Sequence, residues 1–273
     1  MKILVTGANG MLGKDLCPLL EKHGHEVIKT DIEDLNIRNK PMVMDFVKAN
    51  KPDLIIHGAA YTAVDKAEEE KELAYEVNYH GTKNLAKAAK EVDAKIVYIS
   101  TDYVFDGTKE TPYTPKDKPN PKNIYGFTKL EGELAVQDET PKHYIVRTSW
   151  LYGKNGKNFV ETMITLAQKN PKLKVVADQF GCPTYTIALA EGIIKLIEDN
   201  AKFGTYHICG GGQTNWCDFA KKILEFAGIN TPVEPINTTG FPQLAIRPKY
   251  AVMDNEGRCP SWEDSLKQYI ERR

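Results

Sequence analysis

Tyr125 and Lys129 stand four residues apart in the stretch Tyr125-Gly126-Phe127-Thr128-Lys129. On a helix that spacing puts both side chains on one face. A phenol beside an ammonium is a candidate proton donor. At roughly 5 Å and an effective dielectric of about 20, the attraction between phenolate and ammonium is about 3 kcal/mol. That is enough to bring a phenol down from its ordinary value near 10 by about 2 pH units. A proton delivered near neutral pH by a fixed side chain is general-acid chemistry. Upstream, the apolar run Lys95 to Ser100 leads into Thr101-Asp102-Tyr103. A hydroxyl at the carboxyl end of a strand lies where open α/β sheets bind ligands. Thr101 can there donate a hydrogen bond to a carbonyl oxygen alongside Tyr125. Tyr-x-x-x-Lys alone recurs by chance, so its weight depends on what surrounds it.

What surrounds it is a nucleotide signal. Thr6-Gly7-Ala8-Asn9-Gly10-Met11-Leu12-Gly13 spaces its glycines as G-x-x-G-x-x-G between a strand and a helix. Gly7 permits the tight turn, Gly10 lets backbone approach a pyrophosphate, and Gly13 lets the helix pack close to the sheet. The first-turn N–H groups, with the helix dipole, then face the phosphates. The second strand ends at Asp31, a carboxylate placed to accept from a ribose hydroxyl and to repel a 2′-phosphate. Asp31 therefore leans toward NADH. Lys29 and Arg38 lie near enough in sequence to keep NADPH in play, so the hydride donor is read as NADH or NADPH. Ile56-His57-Gly58-Ala59-Ala60 ends the third strand in small residues that leave room for the adenosine half.

Alternating elements must carry these groups. Strands are expected at Lys2 to Val5, Glu26 to Thr30, Asp53 to His57, Lys95 to Ser100 and Tyr144 to Thr148. Helices are expected at Gly10 to Lys22, Pro41 to Asn50, Lys71 to Val92 and Lys122 to Val136. Near-continuous Val, Ile and Leu in the strands fit a parallel sheet buried on both faces. The fold class is α/β: a Rossmann-type doubly wound parallel sheet with a smaller, partly discontinuous substrate lobe. Residues 1–150 form the dinucleotide-binding domain and 151–273 mainly the substrate lobe, with segments within 172–210 returning to the first. Further helices are expected at Phe159 to Lys169, Ile187 to Glu198, Trp216 to Phe226 and Ser261 to Glu271. Thr231 to Pro248, with four prolines, reads as irregular.

Composition narrows the partners. The 273 residues carry a formal net charge of -1, so no bulk positive field exists to hold nucleic acid. No apolar run approaches the roughly 20 residues of a membrane helix. Met1-Lys2-Ile3-Leu4-Val5 runs straight into a strand pattern, and a cytoplasmic location is expected. The five cysteines include no Cys-x-x-Cys, and the six histidines no His-x-x-x-His, so reduced thiols and no metal site are expected.

The chain resembles the extended type of the short-chain dehydrogenase/reductase family over nearly its whole length. The resemblance is carried by the glycine turn, by Ala60-Tyr61-Thr62-Ala63-Val64-Asp65-Lys66-Ala67-Glu68, and by Ser100-Thr101-Asp102-Tyr103-Val104-Phe105. It continues in Tyr125-Gly126-x-Thr128-Lys129-x-x-Gly132-Glu133, Arg147-Thr148-Ser149-Trp150, and Asp178-Gln179-x-Gly181-x-Pro183-Thr184. It implies reduction of the C4 ketone of a dTDP-linked keto-deoxysugar, dTDP-4-dehydro-L-rhamnose. Hydride would come from the nicotinamide and the proton from Tyr125, with Lys129 also on the nicotinamide ribose. It further implies cofactor contacts at Gly7, Gly10, Met11, Leu12, Asp31, Asn36, Ile37, Ala59, Ala60, Tyr61 and Thr62, and sugar contacts at Thr101, Asp102 and Trp150. Another nucleotide-sugar ketoreductase, an epimerase and a non-catalytic dinucleotide-binding subunit remain alternatives. The resemblance also implies a homodimer bridged by magnesium through two carboxylates. Asp15 stands at one of those positions but Ile187 at the other, so no structural metal is expected.

Overall fold

The structure, a computed structural model, describes residues 1–241 and 243–273; Pro242, within the irregular proline-rich segment, lies outside the described residues. The first half alternates: β1 (Lys2–Thr6), α1 (Met11–Lys22), β2 (Glu26–Thr30), α2 (Lys40–Asn50), β3 (Leu54–His57) and the short α3 (Val64–Ala67). There follow α4 (Lys71–Tyr75), a π-helical segment (Glu76–Gly81), α5 (Thr82–Glu91), β4 (Lys95–Thr101), α6 (Ile124–Glu139) and β5 (His143–Thr148). The second half holds β6 (Leu151–Tyr152), α7 (Phe159–Lys169), β7 (Leu173–Val176), β8 (Phe180–Gly181), β9 (Thr184–Tyr185) and α8 (Thr186–Glu198). It ends with β10 (Gly204–His207), β11 (Thr214–Asn215), α9 (Trp216–Phe226), β12 (Val233–Ile236) and α10 (Trp262–Arg272).

Six strands form one parallel sheet in the order β10-β5-β4-β3-β1-β2. Its faces are divided by the two-residue period of a strand. Ile3 and Val5 of β1, Leu54 and Ile56 of β3 and Val97 of β4 join α1 and α8 in one core. Leu4, Ile55, Ile96 and Tyr98, the residues between them, join α2 and α5 in another. The central positions of these strands are therefore apolar on both faces, which explains the lack of polar alternation in the sequence. The chain leaves β1 toward β2 on one side and returns to β3 on the other. That reversal opens a crevice outside the carboxyl ends of the strands, the ligand site of doubly wound sheets.

Several elements differ from the sequence expectation. The long helix over 71–92 contains a six-residue π segment, Glu76–Gly81. The Tyr125 helix starts at Ile124 because the Asn123 side chain accepts from Gly126 N at 2.7 Å. In the second half, β10 adds the sixth strand beside β5, and β7 with β12 makes a separate two-stranded parallel sheet. These strands have four residues each, too few to show a period.

Candidate active site

The crevice is a cleft of about 940 Å³, lined from β1 and α1 at one end to β4, α6 and Trp150 at the other. Gly7 has φ +72°, and a Cβ there would sit 2.7 Å from Ala59 N, so the turn requires glycine. Gly10 caps α1 with no side-chain hydrogen bond, and no acidic residue stands in the first turn. The N–H groups that begin α1 thus face the cleft unclaimed, a built anion site. Asp31, Asn36, Ile37, Ala59, Ala60, Tyr61 and Thr62 all line the same cleft beside Gly7, Gly10, Met11 and Leu12. A dinucleotide phosphate fits this cradle, and a Cβ at Gly7 would destroy it.

Asp31 lines the cleft where a ribose contact was expected, and it also has a second task. Its Oδ2 accepts from Asn9 N at 3.0 Å and its Oδ1 from Ile32 N at 2.8 Å. The carboxylate thus braces the glycine turn from behind. Lys29 pairs with Glu21 at 2.7 Å, whereas Arg38 lines the cleft, its Nε donating to Asn36 Oδ1 at 3.3 Å.

Thr101, Asp102, Tyr125, Lys129 and Trp150 share the far end. Thr101 Oγ1 donates to Asp102 Oδ1 at 2.9 Å and accepts from Tyr103 N at 3.2 Å. The expectation that Lys129 lowers the Tyr125 phenol needs correction. Lys129 is 2% exposed; its Nζ donates to Ile99 O at 2.7 Å and lies 4.0 Å from the centroid of the Tyr98 ring. Burial pulls the ammonium down to about 7, opposed only by the Glu133 charge. Burial likewise pushes the Tyr125 phenol up to about 12; Thr101 lowers it, and the Asp102 charge raises it further. Removal from water sets the direction at both groups, and neither is shifted by the other's charge. A phenol so placed stays protonated through the neutral range, as the acid of a reduction must be.

The lysine's burial has a measurable cost. Its pKa falls on folding, so between about 7 and 10.5 the unfolded chain binds more protons and stability rises with pH. Below that window the penalty is fully present. Lys129→Met should therefore be more stable than the wild type at pH 6 by up to about 5 kcal/mol, at ~1.4 kcal/mol per pKa unit for the fall from 10.5 to about 7. The gap should close toward pH 10. Urea midpoints of both proteins across this range check it; a gap independent of pH would show that Lys129 is not buried as an amine.

Three groupings hold the constellation; Glu133, Glu68 and Asp65 fall in sequence blocks quoted above without a role, and Asn78 lies outside them. Glu133, two turns after Tyr125 on α6, takes Arg147 of β5 in a two-bonded ion pair of 2.9 and 2.6 Å. It also accepts from Ser100 Oγ at 2.5 Å, and both ion-pair partners are nearly inaccessible. Asn78, on the π segment, holds Tyr61 N at 2.8 Å and Tyr61 O at 3.1 Å, and donates to Thr128 Oγ1 at 3.1 Å. Glu68 accepts from Ile124 N at 2.9 Å, at the start of the Tyr125 helix. Its neighbour Asp65 holds Arg247 through two bonds of 2.9 and 2.7 Å. Asn78 left no signal beyond being a polar residue in an otherwise amphipathic run.

Trp150 has φ +46°, a strained value for a large residue. One face of its indole stacks on Trp216 at 3.5 Å between centroids, and a Cβ at Gly181 would meet it at 2.5 Å. It is thus part lobe junction and part cleft wall. Asp15 is held by Asn155 Nδ2 at 3.0 Å and by Thr186 Oγ1, so its carboxylate ties the two halves of the chain together.

The sequence model of the family described as RmlD substrate binding domain matches residues 1–273. A dTDP-4-dehydrorhamnose reductase from Aggregatibacter actinomycetemcomitans is 42% identical, covering 97% of each chain. The crystal structure of a dTDP-4-dehydrorhamnose reductase from Clostridium acetobutylicum is similar with a TM-score of 0.97 and 48% identity, over 100% of this chain and 99% of that one. A dTDP-4-dehydrorhamnose reductase from Bacillus anthracis, in complex with NADP, gives 0.96 and 43%, over 100% and 99%. With the family's model matched from first residue to last and relatives well above 30% identical along the whole length, the chain belongs to the RmlD substrate binding domain family.

Proposed function

We propose that the protein is an NAD(P)H-dependent oxidoreductase that reduces the C4 ketone of dTDP-4-dehydro-L-rhamnose to dTDP-L-rhamnose. The observation that carries this is one cleft holding an uncapped helix N-terminus at one end and Thr101, Tyr125 and Lys129 at the other. The names of the full-length relatives support it. When bound, the reduced nicotinamide supplies the hydride. Gly7, Gly10, Met11, Leu12, Asn36, Ile37 and Ala59 to Thr62 hold the dinucleotide, with Asp31 bracing the turn. Thr101 and Tyr125 hold the carbonyl oxygen, and Tyr125 protonates it as negative charge develops. Lys129 fixes the ribose beside them, while Asp102 and the free part of Trp150 meet the sugar. Residues 1–150 with β10 carry the cofactor and the rest of 151–273 mainly the sugar nucleotide. No helix among the described residues is long and apolar enough to cross a membrane, and the work is assigned to the cytoplasm.

The test follows oxidation of NADH and of NADPH with the rhamnose-pathway ketone and with its unepimerised precursor. Oxidation is expected only with the former, and none with either would end the proposal. Asp31 is occupied by two backbone amides and Arg38 stands in the cleft wall. NADPH is therefore expected within about tenfold of NADH in kcat/KM. Arg38→Ala should lower kcat/KM for NADPH about tenfold or more, the worth of ~1.5–3 kcal/mol for a hydrogen bond to a charged group. NADH should be nearly unaffected. Equal losses with both cofactors would place the 2′-phosphate elsewhere.

A further inference from the structure

Resting on the reductase reading, we infer that Asn123 is a positioning residue for the proton transfer, through which the second half of the chain sets the place of Tyr125. Tyr125 is the second residue of α6. The first turn of a helix has no upstream hydrogen bonds of its own and frays first. The phenol is therefore only as well placed as the groups that cap this turn. Asn123 is 7% exposed, and both ends of its side chain are used. Its Oδ1 accepts from Gly126 N at 2.7 Å, and its backbone oxygen accepts from Phe127 N at 3.0 Å. Its Nδ2 points the other way and donates to Ile246 O at 2.7 Å. A cap needs only an acceptor. Among the favoured caps Asp has no donor and Ser and Thr have one short hydroxyl. Asn alone adds an N–H group that reaches outward while its oxygen caps.

The segment it grips is fixed in turn. Asp65 of α3 accepts from Ala245 N at 3.0 Å and from both terminal nitrogens of Arg247 at 2.9 and 2.7 Å. Glu68, one residue past α3, accepts from Ile124 N at 2.9 Å. The bonds thus form a closed ring: from α3 to residues 245–247, through Asn123 to the start of α6, and back to α3. Beyond Arg247 the same segment reaches the Trp150 end of the cleft. A Cβ at Gly107 would meet Pro248 at 2.6 Å, and Phe180 N donates to Lys249 O at 2.8 Å. Gly181, next to Phe180, lies against the Trp150 indole. The wall that meets the sugar and the helix that carries the acid are therefore one framework. The fit leaves little slack, because a Cβ at Gly126 would run into Tyr103 O on the turn that carries Asp102. A shift of about 1 Å at a reacting group can cost on the order of 10² in rate.

The experiment is steady-state kinetics of the full chain with the keto sugar and reduced dinucleotide, in water and in deuterium oxide. Asn123→Ser keeps a capping oxygen and removes the outward donor. Its kcat should fall about ten- to a hundredfold. The KM for the keto sugar and the Kd for the dinucleotide should stay within about threefold of wild type. The melting temperature should stay within about 5 °C. The solvent isotope effect on kcat should rise, because a displaced acid slows the proton step relative to the others. A cap that served stability alone would lower the melting temperature and leave kcat per folded molecule and the isotope effect at their wild-type values. Asp65→Ala opens the ring at its exposed side, where the carboxylate is 43% exposed, and carries the test if Asn123→Ser fails to fold. It should show the same loss in kcat, and the double variant should lose little more than either alone, as members of one network do. A kcat within threefold of wild type, a loss confined to KM, or losses that multiply in the double variant would overturn the positioning role alone. Wild type that reduces no keto sugar would overturn the reductase reading and this role together.

Discussion

Tyr125→Phe should fold like the wild type and lose about 10²–10⁴ in turnover, the usual contribution of a positioned general acid. The ring packs edge-on to Tyr103 at 5.5 Å between centroids, and that contact survives loss of the hydroxyl. Dinucleotide affinity should change little, because the phosphate cradle lies at Gly7, Gly10 and the start of α1, at the other end of the cleft. Fluorescence titration with reduced dinucleotide and single-turnover reduction of the keto sugar separate the two effects. Turnover within threefold of wild type would remove Tyr125 from the chemistry and leave Asp102 or water as the acid.

Glu133→Gln should be the most destabilising single change near the site. Glu133 and Arg147 have side chains 2% and 4% exposed, so the amide would leave a guanidinium buried without its counter-charge. Breaking one side of a buried pair costs about 3–5 kcal/mol. At roughly 2–4 °C per kcal/mol for a chain of this size, the melting temperature should fall on the order of 10 °C. Replacing both partners together, Glu133→Leu with Arg147→Met, should recover much of that stability, since apolar pairs of similar volume often do. Turnover should remain low, because Ser100 Oγ loses its acceptor and with it the register between Thr101 on β4 and Tyr125 on α6. A double variant with wild-type turnover would show that the ion pair is structural only.

The first half of the fold was legible because its strands are buried on both faces and its helices on one, so composition and period announce each element. The expected strand Glu26 to Thr30 matches the observed bounds, and the helix expected over Trp216 to Phe226 does too. The short strands β7, β10 and β12 were not legible: each pairs through backbone groups with a partner distant in the chain, for instance Gly204–His207 with Tyr144–Arg147. The candidate site divides the same way. Tyr125, Lys129 and the glycine turn signal through spacing along one helix or one loop, whereas Asn78 matters only because folding sets it against Tyr61 and Thr128.

By itself, the sequence determined the alternation of strands and helices, the phosphate cradle, and the helix face that carries the phenol and the amine. These follow from local rules: side-chain period, the glycine requirement at φ +72°, and four-residue spacing on a helix. The tertiary structure alone decided the charge states. Spacing predicts that Lys129 lowers Tyr125, but packing takes both groups out of water, and the lost hydration sets the direction at each. It also decided which carboxylates are spent and which are free. Asp31 accepts from Asn9 N and Ile32 N at the edge of the cleft, Glu133 is spent on Arg147 and Ser100, and Asp102 keeps one oxygen without a protein partner. Partners of that kind come from distant parts of the chain, and burial depends on all of it, so neither is written in any local stretch.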